Sequence, residues 1–346
     1  MLKQISLLIL CAVAIVLFAT PVHACTSAVV SGKVTLDGRP LLWKNRDTDF
    51  MRNHVDYVKG ERYDFIAVVN SANAYLKEAW MGTNSAGFAL MNTQSYNLVD
   101  VKGDEERGAA NGRVIYRALE VCATVEDFCH FLDTISKPSD IEANFGVIDA
   151  QGGAAMFEVD YYKYVMYDAN NPKDAPYGYI ARTNFSFAGK VNEGAGYVRY
   201  MEADQVLMKA SATGNITPQF IFNDLSRSFR NRMLDIDLRS GGYNRPQASG
   251  WFIDQDFIPR SSTSCSVVVQ GVKPGVKAEL TTMWTLLGYP PTGIAVPLWV
   301  KDAGKLLPGM VRFNREHEAA LLSDWSLRLA DRVFSYKQGM GTGRYL

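Results

Sequence analysis

An α+β body, two β-sheets with helices packed outside them, is the fold class this sequence predicts. Three observations carry the prediction. Strand-like and helix-like segments come in blocks (strands, helices, strands, helices, strands, helix), where alternating βαβ units would interleave them. Runs such as IAVV and SVVV are apolar at consecutive positions, as in sheets covered on both faces. No internal repeat, low-complexity tract or Pro/Gly/Ser linker divides the chain, so residues 25–346 are expected to form one domain.

The elements follow in order. CTSAVVSGKVTL, PLLWKN and FIAVVNS read as strands, and AWMGTNSAGFALMNTQ as a hairpin, because its N-S-A-G centre has turn chemistry. Two helices are expected at about 110–136, with Thr124 placed to cap the second. NFGVIDAQGGAAMFEVDYYKYVMYD and GYIARTNFS return to strand, and the aromatics of VDYYKYVMY suit a strand surface. YVRYMEADQVLMKA and TPQFIFNDLSRSFRNRM read as helices. SCSVVVQGV, AELTTMWTLLG and GIAVPLWVK read as strands, and a last helix covers about 314–336.

Residues 1–24 have the parts of an export signal. Lys3 gives a charged start, Leu7 to Thr20 is apolar, Pro21 breaks the helix, and Val22-His23-Ala24 precedes Cys25 at the expected cut. The apolar run is shorter than the roughly 20 residues that span a bilayer, so no stable membrane span is expected. The protein is therefore expected outside the cytoplasm, periplasmic or extracellular.

Composition closes off other classes. Lys+Arg and Asp+Glu both number 36, with no basic block, so a nucleic-acid partner has no electrostatic footprint. Cys25, Cys122, Cys129 and Cys265 remain beyond the signal, too few for a disulfide framework. Cys122 and Cys129 flank a helix–turn–helix, where pairing and burial as free thiols both stay open. Cys265 shares a strand face with Val267 and Val269 and reads as core. His23, His54, His130 and His317 are scattered, and neither H-E-x-x-H nor paired C-x-x-C is present, so no metal is expected. His317, inside REHEAALL, is expected on the solvated face of the last helix. GTNSAG fails as a serine-hydrolase elbow because Thr83 stands where its first glycine belongs. The glycines of GMGTGRYL lack the strand–helix context of a dinucleotide loop, and no cofactor is expected.

Cys25 is what remains. A thiol attacks a carbonyl as thiolate, and its ordinary pKa is about 8.5. A free α-amine titrates at about 7.7–8.0, so near neutral pH it can take the thiol proton from its own residue. This base exists only once residues 1–24 are gone.

Cys25-Thr26 would stand at the mature terminus, and a strand–turn–strand leads to Arg46 with Asp49 three residues on. GTNSAGFALMNT contains Asn92, NFGVIDAQGGAAMFEV follows it, RTNF contains Asn184 and IPRSSTSCSVVV contains Arg260. Together these residues resemble a family: the cysteine N-terminal-nucleophile (Ntn) hydrolases, in the branch of choloylglycine (bile salt) hydrolases, penicillin V acylases and acyl-CoA:6-aminopenicillanic acid acyltransferases. Arg46 and Asp49 are like the family's R-x-x-D, NFGVIDAQGGAAMFEV looks like the acyltransferase branch, and Arg260 stands as the late arginine. The resemblance implies a four-layer αββα sandwich and cleavage of linear C–N amide bonds in a small-molecule substrate. Arg46 would favour the thiolate, Asp49 would hold the α-amine, Asn92 would donate to the oxyanion, and Asn184 and Arg260 would complete the site. Positions 46 and 49 point to opposite faces of a regular strand, so a bend must intervene if both are to reach Cys25. Two alternatives stay open: a dipeptidase of the same superfamily, and a non-catalytic binding protein lipidated on Cys25. Oligomeric state, a homo-oligomer included, and the choice between hydrolysis and acyl transfer are not fixed by the residues.

Overall fold

The computed structural model describes residues 25–99, 108–240, 251–253, 256–336 and 343–345; the expected signal, residues 1–24, lies outside them. The N-terminal half gives β1 (Thr26–Val30), β2 (Leu41–Asp47), β3 (Asn53–Val58), β4 (Phe65–Asn70), β5 (Met81–Asn84) and β6 (Ala89–Gln94). Helices α1 (Asn111–Val121) and α2 (Val125–Thr134) follow, then β7 (Ala143–Ile148), β8 (Ala154–Val159), β9 (Tyr164–Asp168), β10 (Tyr179–Arg182) and helix α3 (Tyr197–Ser211). Short strands β11 (Arg230–Asn231), β12 (Ile236–Asp237) and β13 (Trp251–Ile253) precede β14 (Thr263–Gln270), β15 (Thr282–Leu287), β16 (Ala295–Leu298) and helix α4 (Leu321–Val333).

Among the described residues, two antiparallel sheets dominate, ordered β10-β1-β2-β14-β15-β16 and β3-β4-β5-β6-β7-β8-β9. Side-chain alternation gives each sheet two apolar faces. Val29, Leu42, Val267 and Val269 of the first sheet meet Val55, Ile66, Met81 and Met91 of the second. On the far side of the second sheet, Ile115 and Leu119 of α1 and Phe128 and Leu132 of α2 cover Phe65, Leu90, Phe145 and Phe157. On the far side of the first, Ala203 and Leu207 of α3 cover Ala28, Val30, Trp43 and Val268. The layers run helix, sheet, sheet, helix: the αββα sandwich.

Local chemistry explains the boundaries. Thr124 caps α2 as expected: its hydroxyl accepts from Asp127 N at 3.0 Å, and the Asp127 carboxylate accepts from Thr124 N at 3.1 Å. The N-S-A-G turn closes as Asn84 Oδ1 accepts from Ala86 and Phe88 N–H, each at 3.1 Å, with Gly87 in the left-handed region at φ +77°. β3, which alternates His54 and Asp56 with Val55 and Tyr57, has no counterpart among the expected strands.

Two expected helices are shorter than the sequence suggests. Thr217 caps the first, but its α-turn ends at Phe220, continues as a π-turn over Ile221–Leu225 and gives way to the β11–β12 hairpin. Tertiary bonds outcompete the helix here. The Ser226 carbonyl accepts from Asn45 Nδ2 at 3.1 Å, and the Ser226 hydroxyl meets Trp43 Nε1 at 3.0 Å. The last helix begins only at Leu321. Before it, Asn314 Oδ1 accepts from Glu316 and His317 N–H, competing with helical bonds, and Glu318 adopts φ +51°. His317 therefore leaves the expected helix face and contacts Asp324 at 2.7 Å instead. Asp324, held also by Arg328, stays below the ordinary carboxylate value; burial opposes this, and the His317 and Arg328 bonds outweigh it.

Candidate active site

Cys25 stands immediately before β1, an interior strand flanked by β10 and β2, and is buried at 7% exposure. Its backbone N donates to Asn184 Oδ1 at 2.9 Å, and its Sγ lies 3.9 Å from the Asp47 carbonyl. Asn184 follows β10 and is fixed from three sides. Its Oδ1 also accepts from Arg199 Nη2 at 3.0 Å, and its Nδ2 donates to Gln94 O at 2.8 Å. A guanidinium can only donate, which settles which end of the amide faces Cys25.

The K-N-R-D stretch of β2 divides its side chains by strand alternation. Trp43 and Asn45 face the α3 layer, while Lys44 and Arg46 lie on the Leu42 face toward the other sheet. Lys44 Nζ donates to Asn92 Oδ1 at 2.9 Å and to Trp80 O at 3.1 Å. An ammonium has no acceptor, so Asn92 must present its oxygen to Lys44 and turn its NH₂ away. Among the described residues that NH₂ has no hydrogen-bond partner. Burial lowers Lys44 to about 8, against the pull of Cys25. Arg46 Nη1 donates to Asn53 Oδ1 at 2.6 Å, and its guanidinium lies 4.5 Å from the Trp80 ring centroid. Burial lowers it to about 10, opposed first by Cys265 and then by Cys25.

These groups share a cavity of about 930 Å³, lined by Cys25, Lys44, Arg46, Asp47, Trp80 and Asn92 among others. That is the size of a small-molecule site. Lys44, Arg46 and Arg199 are all buried, and among the described residues none lies within ion-pair distance of a carboxylate. Uncompensated buried cations cost stability.

Of the residues singled out by the sequence, the structure brings Cys25, Arg46 and Asn92 to one cavity wall and bonds Asn184 to Cys25. Arg260 sits one residue further back, with Nε 3.9 Å from Asp47 Oδ2. Asp49 is not among the residues that line the cavity with Cys25. β2 ends at Asp47, the chain turns so that Met51 N bonds to Asp49 O, and the Asp49 side chain is carried to the exposed surface. The expected bend exists, but it leads away. The carboxylate in the cavity wall is Asp47, whose Oδ1 accepts from Thr263 Oγ1 at 2.6 Å.

Sequence reasoning also missed Lys44 and Arg199. Lys44 was legible as a charge two residues before Arg46 on one strand face. Arg199 was legible as an arginine on the buried stripe of α3, in line with Ala203, Leu207 and Ala210. The other three cysteines are free thiols. Burial pushes Cys122 up to about 12 and raises Cys129 and Cys265 as well, Cys265 against the pull of Arg46 and Lys44. No helix among the described residues is long and apolar enough to cross a membrane, and none of their His, Cys, Asp and Glu side chains cluster as a metal site.

A two-sheet αββα core with helices outside both sheets and a cysteine entering its first inner strand defines an Ntn hydrolase, a class of amide hydrolases and acyltransferases. The chain belongs to the acyl-coenzyme A:6-aminopenicillanic acid acyl-transferase family, which matches residues 35–219, more than half of its length. The matched span contains Arg46, Asp47, Asn92, Asn184 and Arg199. Similar solved structures include a conjugated bile acid hydrolase from Clostridium perfringens (12% identity, 80% of this chain and 93% of that one, TM-score 0.48). Others are penicillin V acylase from Agrobacterium tumefaciens (16%, 80% and 86%, 0.42) and an N-acylethanolamine-hydrolyzing acid amidase ortholog from Caenorhabditis elegans (15%, 72% and 94%, 0.45). No curated protein matches the chain.

Proposed function

We propose that this protein is an exported cysteine amidase, residues 25–346 forming its single catalytic domain, that cleaves linear C–N amide bonds through an S-acyl intermediate on Cys25. The observation that carries the reading is the pairing at one residue: Cys25 N is held by Asn184 while its thiol lies on a cavity walled by Lys44 and Arg46. Loss of residues 1–24 turns that nitrogen into the α-amine base.

The amine takes the thiol proton, and the thiolate attacks the amide carbon. The carbonyl π pair moves to oxygen, where Asn92 Nδ2 donates to the developing charge. Collapse expels the amine product, which receives the proton from the α-ammonium and leaves a thioester. Water attacks next, giving its proton to the α-amine, and the acid departs as Sγ is reprotonated. Arg46 and Lys44 place positive charge on the cavity wall that carries the sulfur, Asp47 with Arg260 shapes the wall beside it, and Lys44 holds Asn92 in its donating orientation.

A second reading, acyl transfer to an acceptor amine, is supported by the family to which residues 35–219 belong. One experiment separates the readings. Protein recovered from an exporting host is sequenced from its N-terminus, and its mass is followed with an amide panel. Conjugated bile acids, penicillin V, N-acylethanolamines and dipeptides cover the substrates named in its relatives and the dipeptidase alternative. A chain starting at Cys25 that carries the acyl mass on that residue supports the amidase, and diversion of the acyl group by added amine supports transfer. A diacylglyceryl adduct on Cys25, or no acyl adduct with any amide, replaces the reading with an anchored binding protein.

A further inference from the structure

One wall of the Cys25 cavity carries buried polar groups that the chain leaves unanswered. Arg46 lies one step past the Thr26–Asn45 pair of β1 and β2, across from Cys25, and is 3% exposed. Its Nη1 donates to Asn53 Oδ1 at 2.6 Å, and Asn53 is held in turn, its Nδ2 donating to the Phe50 and Met51 carbonyls. A guanidinium has five N–H donors, and Asn53 takes one. Among the described residues the others have no hydrogen-bond partner, and no carboxylate lies within ion-pair distance of Arg46. Asn70 pairs with Asn53 in the β3–β4 register, so the two side chains share a face. Asn70 is 5% exposed, and its Oδ1 is buried with no partner among the described residues. Trp80, with its ring centroid 4.5 Å from the guanidinium, buries an Nε1–H that has none there either. Arg46, Asn70 and Trp80 all line the cavity. A fatty chain laid on this wall would leave these groups buried and unpaired, which is costly. A carboxylate answers a guanidinium with two oxygens.

We infer that this wall is an acyl subsite that takes the carboxylate of a short dicarboxylic acyl group, held by Arg46 with Asn70 and Trp80 beside it. The inference rests on the amidase reading. The side follows from proton traffic. The leaving amine receives its proton from the Cys25 nitrogen, so it departs on the side of Asn184, which holds that nitrogen, and of Ala195, which bonds to Asn184 and lines the cavity. With the carbonyl oxygen at Asn92, the acyl substituent is left the side of β2, β4 and β5, where Arg46, Asn70 and Trp80 stand. The acid is short because Arg46 stands across from the nucleophile itself. Other charges line the cavity, and each is already engaged. Glu78 lies 3.5 Å from Arg113, Asp47 accepts from Thr263 and faces Arg260, and Lys44 donates to Asn92 and the Trp80 carbonyl.

The test compares matched substrates: the monoanilides of succinic and glutaric acid against the same anilides with the carboxyl group amidated, aniline release being read in both. The acid should be preferred by about 10–10²-fold in kcat/KM, the scale of a hydrogen bond to a charged group. Arg46→Gln should bring that ratio close to unity, whatever it does to the rate common to both members. Equal rates for acid and amide, or an unchanged ratio in folded Arg46→Gln, overturns the inference. Hexanoylglycine against hexanoylglycinamide places the carboxylate on the amine side, and a preference confined to that pair overturns it as well. Should Arg46→Gln fail to fold, Asn70→Asp decides. Its negative charge beside the bound carboxylate should cut the ratio about tenfold or more, and an unchanged ratio overturns the inference. If no amide acylates Cys25 in the unsubstituted protein, the amidase reading fails on its own, and calorimetry with Cys25→Ala still judges the subsite. Tighter binding of the succinic monoanilide than of its amidated form supports it, and equal binding overturns it.

Discussion

The two sides of the seven-stranded sheet are built on different physics. Its outer side, under α1 and α2, is a stack of rings and aliphatics in which Phe128 meets Phe88, Phe131, Phe145 and Phe157 with centroids 5.1–6.2 Å apart. Its inner side, toward β1 and β2, grades from apolar packing into buried charge. There Lys44 and Arg46 lie near the cavity, and Arg182 of β10 reaches Glu158 of β8 across the sheets at 2.6 Å. The outer layer is held by area and shape, which tolerate exchange among apolar residues. The inner layer is held by hydrogen bonds whose loss strands a buried group. Stability is concentrated where there is no chemistry, and chemistry stands where burial is costly.

The sharpest break between the two is a pair of truncations. Cys25→Ala should abolish amide turnover while leaving the unfolding midpoint nearly unchanged, and Cys25→Ser should leave only traces because a hydroxyl ionises far less readily than a thiol. Phe128→Ala should do the reverse: a loss of about 3–5 kcal/mol in denaturant unfolding, with kcat intact at temperatures where the protein stays folded. Turnover by Cys25→Ala would end the proposed mechanism. A large kinetic defect in folded Phe128→Ala would show that the outer layer shapes the site.

Within the inner layer, Asn92→Ala should slow acylation by about 10²–10³, or about 2.7–4 kcal/mol, because its NH₂, without a hydrogen-bond partner among the described residues, is proposed to serve charge that appears only in the transition state. Single-turnover measurements should show the loss in the rate and not in substrate affinity. Equal weakening of binding and rate would make Asn92 a substrate contact instead.

A smaller effect concerns Lys44 and pH. Burial drops its pKa from 10.5 to about 8. Between those values the unfolded chain binds a proton that the folded chain has released, so stability rises with pH across that window. Below pH 8 the buried ammonium is a cost. Lys44→Met removes it, so the stability of the unsubstituted protein relative to this variant should climb from about pH 8 to about pH 10.5. Urea midpoints for both proteins at the two ends of that window measure the climb. A constant difference would mean that Lys44 titrates outside it.

The same contrast sets what could be read from the sequence. The apolar layers were legible because period and capping are local: both α1 and α2, the Asn84–Gly87 turn and β14 lie close to their expected places. The site was half legible. Cys25 announces itself by its position after Ala24, while Asn92 and Asn184 were carried by resemblance. Asp49 was misplaced because R-x-x-D spacing says nothing about where β2 ends, and that end is set by the Thr48 N–H bonding to Ser262 O, a contact more than 200 residues away in sequence. Arg199 was hidden because an arginine on a helix is ordinarily solvated; the Cys25 carbonyl, the Thr26 hydroxyl and the Asn184 oxygen make this buried one tolerable.

The smallest effect returns to the outer layer. Thr124→Ala removes the hydroxyl that accepts from Asp127 N and so opens one half of the α2 capping box. The other donors there stay satisfied: Asp127 Oδ2 still accepts from Ala123 N at 2.8 Å and Thr124 N at 3.1 Å, and Asp149 Oδ2 accepts from Val125 N at 3.0 Å. One partly buried N–H is left to water, which limits the loss to about 1 kcal/mol. Thr124 belongs to the helix layer and is not among the cavity-lining residues, so kcat/KM should match that of the unsubstituted protein at 25 °C. A lowered melting temperature with unchanged kinetics is the expected pair of results. Kinetics that change along with the melting temperature would mean that the outer helices and the cavity respond as one unit, and the division between the two sides of the sheet would have to be withdrawn.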